Sequence, residues 1–333
     1  MRLFYSTCPA GLEEPCRRLA AKVVPGFSAR GVFPGALVYS ARTERPECAG
    51  FSNTYLQIAR VDKCGAVTHA AKLFLQDRRA IMDAERSMKE YGFESFRVMF
   101  SDANRLAGVE KGYREAFERM IRVKNNRTNP DTELMVLRRS DGCGLLLMRL
   151  TRPAHVRKGE LSPAVASCMA YLAKPEAGGA FMDPFAGSGA LGVARMGLGK
   201  SKRIFLSDMD GDAVARLRKR IPGRAEIEQL DALKLAARFG PGEFTEIVTD
   251  PPWGLFRPLA ADPSDFCRSM ISNFQYALAP YGMCVVLTAM KAEFAEAVRK
   301  SGLELIERFD ILVNGKKAAI FVMKKPGEPS EQV

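Results

Sequence analysis

A strand, a glycine loop and a helix follow one another at Phe181-Met182-Asp183-Pro184-Phe185-Ala186-Gly187-Ser188-Gly189 and Ala190 to Met196. No other stretch constrains the fold as much. Ala177-Gly178-Gly179 before it is a turn signal. The glycines let a backbone approach a ligand closely, and the helix start behind them offers unpaired N–H groups. A bare tight turn is the simpler alternative. From Phe181 onward the strand candidates are Phe181-Met182, Ile204 to Leu206, Ala225 to Ile227, Ile247 to Thr249, Met283 to Leu287, Leu303 to Val313 and Ala318 to Met323. Helical patterns centre on Leu191–Arg195, Ala213–Arg220, Leu233–Arg238, Pro263–Ala279 and Ala292–Ser301. Such alternation predicts an α/β fold, a mainly parallel sheet covered on both faces. Asn314-Gly315 is a hairpin turn signal, which makes the last strand antiparallel to its neighbour.

Ligands of such sheets sit beyond the carboxyl ends of the strands. Four successive ends here carry the glycine loop after Asp183, then Asp208, Asp231, and Thr249-Asp250-Pro251-Pro252-Trp253-Gly254. Two cofactor readings compete. Gly187-Ser188-Gly189-Ala190-Leu191-Gly192 with Asp208 behind it matches a dinucleotide fingerprint and hence NAD. That reading leaves Asp-Pro-Pro-Trp without a purpose. S-adenosylmethionine accounts for all four ends. Asp183, Pro184, Phe185, Ala186, Gly187 and Gly189 form its loop, the two glycines clearing space for the amino-acid part. Asp208 faces the ribose hydroxyls, Asp231 the adenine amino group, and Asp250 borders the site. Asp208 and Asp231 are equally good helix N-caps. Gly199-Lys200-Ser201 is no P-loop, because Ala194 stands at the required earlier glycine and a strand follows.

Asp250, Pro251, Pro252 and Trp253 suit methyl transfer to an exocyclic amine. The Asp250 carboxylate and Pro251 carbonyl can both accept hydrogen bonds from that amine and aim its lone pair. The prolines stiffen the backbone, and Trp253 can stack on a base swung out of its helix. An apolar strand end with a buried tryptophan is the simpler alternative. Adenine N6, cytosine N4 and guanine N2 all present an amino group to such a motif.

Charge divides the 333-residue chain unevenly. Residues 1–160 hold 28 Lys and Arg against 18 Asp and Glu, and the remainder 22 against 20. A basic module joined to a nearly neutral one predicts a polyanion held by the first and worked on by the second, although a merely soluble surface would look similar. The expected contacts to that polyanion are Arg122, Lys124, Arg127, Arg152, Arg157 and Lys158, and the family resemblance given below implies that it is RNA. A catalytically silent RNA-binding module is a third reading, opposed by the intact Asp-Pro-Pro-Trp. The eight cysteines form no Cys-x-x-Cys pair, and His69 and His155 are the only histidines, so no metal site is expected. Unpatterned thiols, no long apolar run and no signal peptide predict a cytoplasmic protein, and a monomer is expected.

In the first half, Arg2 to Ser6 is a strand candidate and Cys8 to Val23 a helix. Phe27–Val32 and Ala36–Ala41 form a hairpin, Glu47–Asn53 a helix and Tyr55–Ala59 a strand. A long helical pattern, Ala66 to Tyr91, breaks near Asp77. Ser95–Phe100 is a strand with Arg97 facing out, and Val109–Ile121 a helix. Thr132–Arg138 and Leu145–Leu150 are strands, and Thr151–Leu161 a basic linker. Ser162-Pro163 opens a helix with an apolar stripe of Val165, Met169 and Leu172.

The two second-half motifs, Asp183 to Gly189 and Thr249 to Gly254, resemble those of Rossmann-fold amino-methyltransferases. Ile311 to Ala318 is similar to the last hairpin of the THUMP-containing RNA methyltransferases. Cys8-Pro9-Ala10-Gly11-Leu12-Glu13, Asn129 to Leu134, the Gly142-to-Leu150 strand and Arg157 to Leu161 resemble that family's first half. The resemblance implies a ferredoxin-like domain at 1–62, a THUMP-like RNA-binding domain at 63–152, a Rossmann-like methyltransferase domain at 153–326 and a tail at 327–333. It also implies N2-methylation of a guanosine in tRNA or in large-subunit rRNA. The chain departs from the family twice. Ala190 and Val193-Ala194-Arg195 replace Thr and a Glu-Ala pair, and Trp253 replaces Tyr or Phe.

Overall fold

The computed structural model describes residues 2–103, 105–151, 160–176, 178–254, 259 and 261–327. The chain divides into two compact units, residues 1–8 with 20–154, and residues 9–19 with 155–333.

The first unit opens with β1 (Leu3–Thr7). After it comes α1 (Glu13–Val23), only the end of which belongs here. β2 (Ser28–Phe33), β3 (Ala36–Ser40) and β4 (Asn53–Val61) follow, then α2 (Val67–Gln76) and α3 (Arg78–Glu90). Asp77 ends one helix and begins the next, its carboxylate accepting from the N–H groups of Arg79 and Ala80. That is the break expected from sequence. β5 (Ser95–Asp102), β6 (Arg105–Leu106), α4 (Lys111–Met120), β7 (Lys124–Asn125), β8 (Thr132–Arg138) and β9 (Gly144–Arg149) complete the unit. All its strands join one sheet, ordered β2-β3-β1-β4-β9-β8-β5-β6 with β7 beside β5. The sheet is continuous across position 62, because β4 pairs with β9.

Glu47–Asn53 is not helical. Phe51 N–H bonds the Cys48 carbonyl at 2.9 Å and the Phe51 ring packs on Tyr39, so a tight turn anchors the ring and β4 starts directly. Arg97 does not simply face outward either. It and Arg149 both grip the Glu133 carboxylate.

The second unit contains α5 (Pro163–Leu172), β10 (Ala180–Asp183), α6 (Ala190–Gly197), β11 (Arg203–Asp208), α7 (Gly211–Arg220) and β12 (Glu226–Gln229). A 3-10 helix (Ala232–Ala237) comes next, where an α-helix was expected; it is kinked at Lys234. Then come β13 (Phe244–Thr249), α8 (Pro263–Ala277), β14 (Leu278–Thr288), α9 (Lys291–Arg299), β15 (Glu304–Val313) and β16 (Lys316–Lys324). Ser162 caps α5 as expected, but the helix buries Ala164 through Ala170 on all sides and not one stripe. The strand order is β12-β11-β10-β13-β14-β16-β15. β10 to β14 run parallel, and β16 inserts antiparallel between β14 and β15. Asn314 and Gly315 both take positive φ, 50° and 77°, as a two-residue hairpin of the primed type requires. One face is packed by Phe205, Phe239, Phe244, Phe266 and Phe274, each removing apolar area worth about 1.5–3 kcal/mol.

Residues 9–19 belong to this unit. Leu12, Cys16 and Leu19 are buried, Cys16 Sγ lies 3.2 Å from Cys168 Sγ, and Arg18 pairs with Glu307 at 2.7 Å. Gly11 has φ 92°, and a Cβ there would stand 2.3 Å from the Asp310 carbonyl oxygen.

Candidate active site

After β12 reaches the sheet edge, the chain returns to place β13 on the free side of β10. The order reverses there, which opens a crevice beyond the two strand ends. Asp183 ends β10, and Thr249 and Asp250 end β13. A hydrogen bond spans the switch point, from the Thr249 hydroxyl to Asp183 Oδ1 at 2.7 Å. Phe185 N–H donates to the same oxygen.

Asp208, at the end of β11, ties the glycine loop down. Its Oδ2 accepts from Gly187 N–H at 2.9 Å and its Oδ1 from Asp210 N–H at 3.0 Å. The Ala186 N–H reaches the Ser207 carbonyl at 2.8 Å. Asp231 caps the 3-10 helix through Leu233 N–H and lies 3.7 Å from the Lys234 ammonium. Both aspartates therefore hold backbone, and each keeps lone pairs for a further donor.

The glycines divide their work differently from the expectation. A Cβ on Gly187, φ 49°, would meet nothing closer than 3.9 Å, so the loop is open there. A Cβ on Gly189, φ 81°, would strike Leu217 at 2.7 Å and Ile221 at 3.0 Å. Gly189 thus clears room for α7, not for a ligand. Gly192 does the same for Leu206 of β11.

Asp183 and Asp250 are the unusual acids. Desolvation drives each up to about 7, against the pull of Thr249 and Phe185 on the first and of Trp253 on the second. At neutral pH the pair carries less than two full negative charges. The Trp253 indole N–H donates to Asp250 Oδ1 at 3.0 Å. Pro251 is buried, Pro252 is exposed and Trp253 is half-buried. Trp253 is therefore hydrogen-bonded to the acid of its own motif, a contact that residue spacing alone did not suggest.

The residues present fit S-adenosylmethionine. The Ser207 hydroxyl is buried with no partner among the described residues, the space at Gly187 is open, and no cation pairs with Asp183, Asp208 or Asp250 among the described residues.

Residues 149–318 match the family model for the RMKL-like methyltransferase domain, UPF0020. The chain belongs to that family. It is an S-adenosylmethionine-dependent methyltransferase, and the dinucleotide reading of the glycine loop falls. No curated protein matches the sequence. Among solved structures the chain is similar to TrmN from Thermus thermophilus at 21% identity and a TM-score of 0.77, with 98% of this chain and 100% of that one covered. It is also similar to a structure from Clostridium difficile 630 described as a possible methylase, at 14% identity and a TM-score of 0.73, with both chains fully covered. A third, from Listeria monocytogenes, is described as a predicted N6-adenine-specific DNA methylase, at 12% identity and a TM-score of 0.71, covering 98% of this chain and 96% of that one. These likenesses establish the fold, a Rossmann-like methyltransferase sheet with a final antiparallel hairpin.

Of the expected RNA contacts, Arg122, Lys124 and Arg127 are exposed, and Arg127 is already paired with Glu118 at 2.7 Å. Arg152, Arg157 and Lys158 lie outside the described residues, as do residues 328–333 of the expected tail. Arg122 shares a cleft with Arg78, Arg86 and Lys89. The helical spacing of those three on α3 could have revealed them. No disulfide joins any of the eight cysteines. Among the described residues no helix is long and apolar enough to cross a membrane, and no group of His, Cys, Asp and Glu side chains could hold a metal ion.

Proposed function

We propose that the chain methylates an exocyclic amino group of a nucleobase in RNA, with guanine N2 in tRNA as the target. The observation that carries this is Asp250 at the switch point, with one oxygen held by Trp253 and the other without a donor among the described residues. When bound, S-adenosylmethionine supplies an electrophilic methyl on a sulfonium. The chain's own residues do the rest. Asp250 and the Pro251 carbonyl accept hydrogen bonds from the amine and turn its lone pair toward the methyl. The methylated nitrogen is briefly cationic and sheds a proton, which Asp250 can receive or pass to water. Gly187, the loop Asp183-Pro184-Phe185-Ala186, Asp208 and Asp231 hold the cofactor, with Gly189 acting only through packing. Trp253 offers its face to the base.

Residues 1–62 and 63–152 serve as ferredoxin-like and THUMP-like RNA-binding parts, except that residues 9–19 pack into the catalytic domain, 153–326, of a cytoplasmic monomer. The resemblance to THUMP-containing enzymes and the basic first half support that division. The test is nucleoside mass spectrometry on RNA from a deletion strain. Loss of N2-methylguanosine from tRNA is the expected result. Loss of the rRNA mark, or of an N6-methyladenosine, moves the target to that base. No change in any methylated nucleoside, and no methyl transfer by purified protein, overturns the proposal. RNA affinity should fall with salt, and Arg122→Ala and Lys124→Ala should each lower the salt slope by about 1.

A further inference from the structure

The indole N–H of Trp253 lies 3.0 Å from Asp250 Oδ1, across only two residues, both proline. Their fixed φ prebuilds the turn that brings the ring back onto the carboxylate. Indole is a donor only, so the bond has one direction. A carboxylate otherwise swings about its last torsion, which is broad. Tethering Oδ1 fixes the carboxylate plane and therefore the direction of Oδ2. Among the described residues nothing donates to Oδ2. The family's commoner Tyr or Phe presents a ring with no N–H at this point.

We propose that Trp253 is the positioning residue of Asp250, holding Oδ1 so that Oδ2 is left aimed to accept the hydrogen bond of the methyl acceptor. This deepens the methyl-transfer reading and rests on it for the acceptor, but the tether itself does not.

Two measurements on the full chain separate those parts. Trp253 is the only tryptophan, so its fluorescence reports on the tether without RNA. Among the described residues, Asp183 on β10 couples electrostatically with Asp250 and with Asp208 on β11. Between pH 4 and 9, wild-type emission should show one transition. That transition should survive Asp183→Asn with a moved midpoint and vanish in Asp250→Asn. A flat wild-type curve, or a transition that persists in Asp250→Asn, overturns the tether. The second measurement is Trp253→Phe, which keeps a ring and removes the N–H. Single-turnover methyl transfer should fall roughly ten- to hundredfold, as for a hydrogen bond to a charged group. RNA and S-adenosylhomocysteine affinities should change less than about threefold, since stacking and the cofactor loop are kept. A normal rate, or a loss confined to RNA affinity, sinks the positioning role. If wild-type protein methylates no RNA while the fluorescence result holds, the functional reading fails and the tether stands.

Discussion

The two ends of the second sheet treat buried acids in opposite ways. Near the amino end, Glu246 of β13 is 2% exposed and is gripped by Arg195, with contacts of 2.5 and 2.9 Å. Arg195 also donates to the carbonyls of Gly199 and Glu176, so every nitrogen of its guanidinium is engaged. At the carboxyl end, Asp183 is just as buried but meets only a hydroxyl and an N–H. Asp250 has an indole, and Asp208 has two backbone N–H groups. One end neutralises its charge within the fold. The other uses neutral donors to orient carboxylates and leaves their charge for a visitor. A buried acid is thus structural or functional according to its partner, not its burial.

Breaking the paired end should have the largest effect. Arg195→Met strands Glu246 in the interior and should destabilise by about 3–5 kcal/mol in urea unfolding. Adding Glu246→Leu should restore most of it. If the single variant loses less than about 1 kcal/mol, the ion pair is not what neutralises that end. At the unpaired end, Asp250→Ala should slow single-turnover methyl transfer by about 2.7–4 kcal/mol, roughly a hundred- to thousandfold. Calorimetry should find S-adenosylhomocysteine binding nearly unchanged there and lost in Asp208→Ala. Equal loss in both would erase the distinction between the two acids.

The glycines sharpen the contrast. Gly189→Ala meets both a positive φ and Leu217, and should cost about 2–4 kcal/mol of stability. Gly187→Ala has only the φ strain, about 1–2 kcal/mol, but should weaken the cofactor more than it weakens the fold. The reverse ranking in thermal melts would refute this division.

A further effect is one of pH. The folded values of Asp183 and Asp250, about 7, lie above the ordinary 3.8. Folding therefore strengthens their hold on protons. Their contribution favours the folded chain at low pH and is lost as pH climbs from about 4 to 7. S-adenosylmethionine bears a sulfonium and favours the ionised acids. Its affinity should rise up to about tenfold per pH unit as pH approaches 7 and then level off, while S-adenosylhomocysteine should rise less. Parallel curves for the two ligands would show that the acids do not sense the sulfonium.

Much of this was legible in the residues. Asp183 to Gly189, Asp250 to Trp253 and Asn314-Gly315 dictate local backbone, and local rules suffice for them. Asp77 announced its helix break for the same reason. Glu47–Asn53 misled, because a half-buried Phe51 packed on Tyr39 outweighs a weak helical pattern. Arg195 looks like any basic residue near a helix end until Glu246 arrives from 51 residues away. Gly189 resembles Gly187 until α7 is folded against it. The two departures from the family pattern, at Arg195 and Trp253, became intelligible only through partners that spacing does not reveal.

Residues 9–19 carry a consequence in time. They leave the ribosome early, yet Cys168, Glu307 and Asp310, against which they pack, follow about 150 to 300 residues later. At about 5–20 residues per second, Leu12, Cys16 and Leu19 wait on the order of ten seconds to a minute for cover. The methyltransferase unit is incomplete until β15, which carries Glu307 and Asp310, has been made. No single cut, by protease or by cloning, releases it intact.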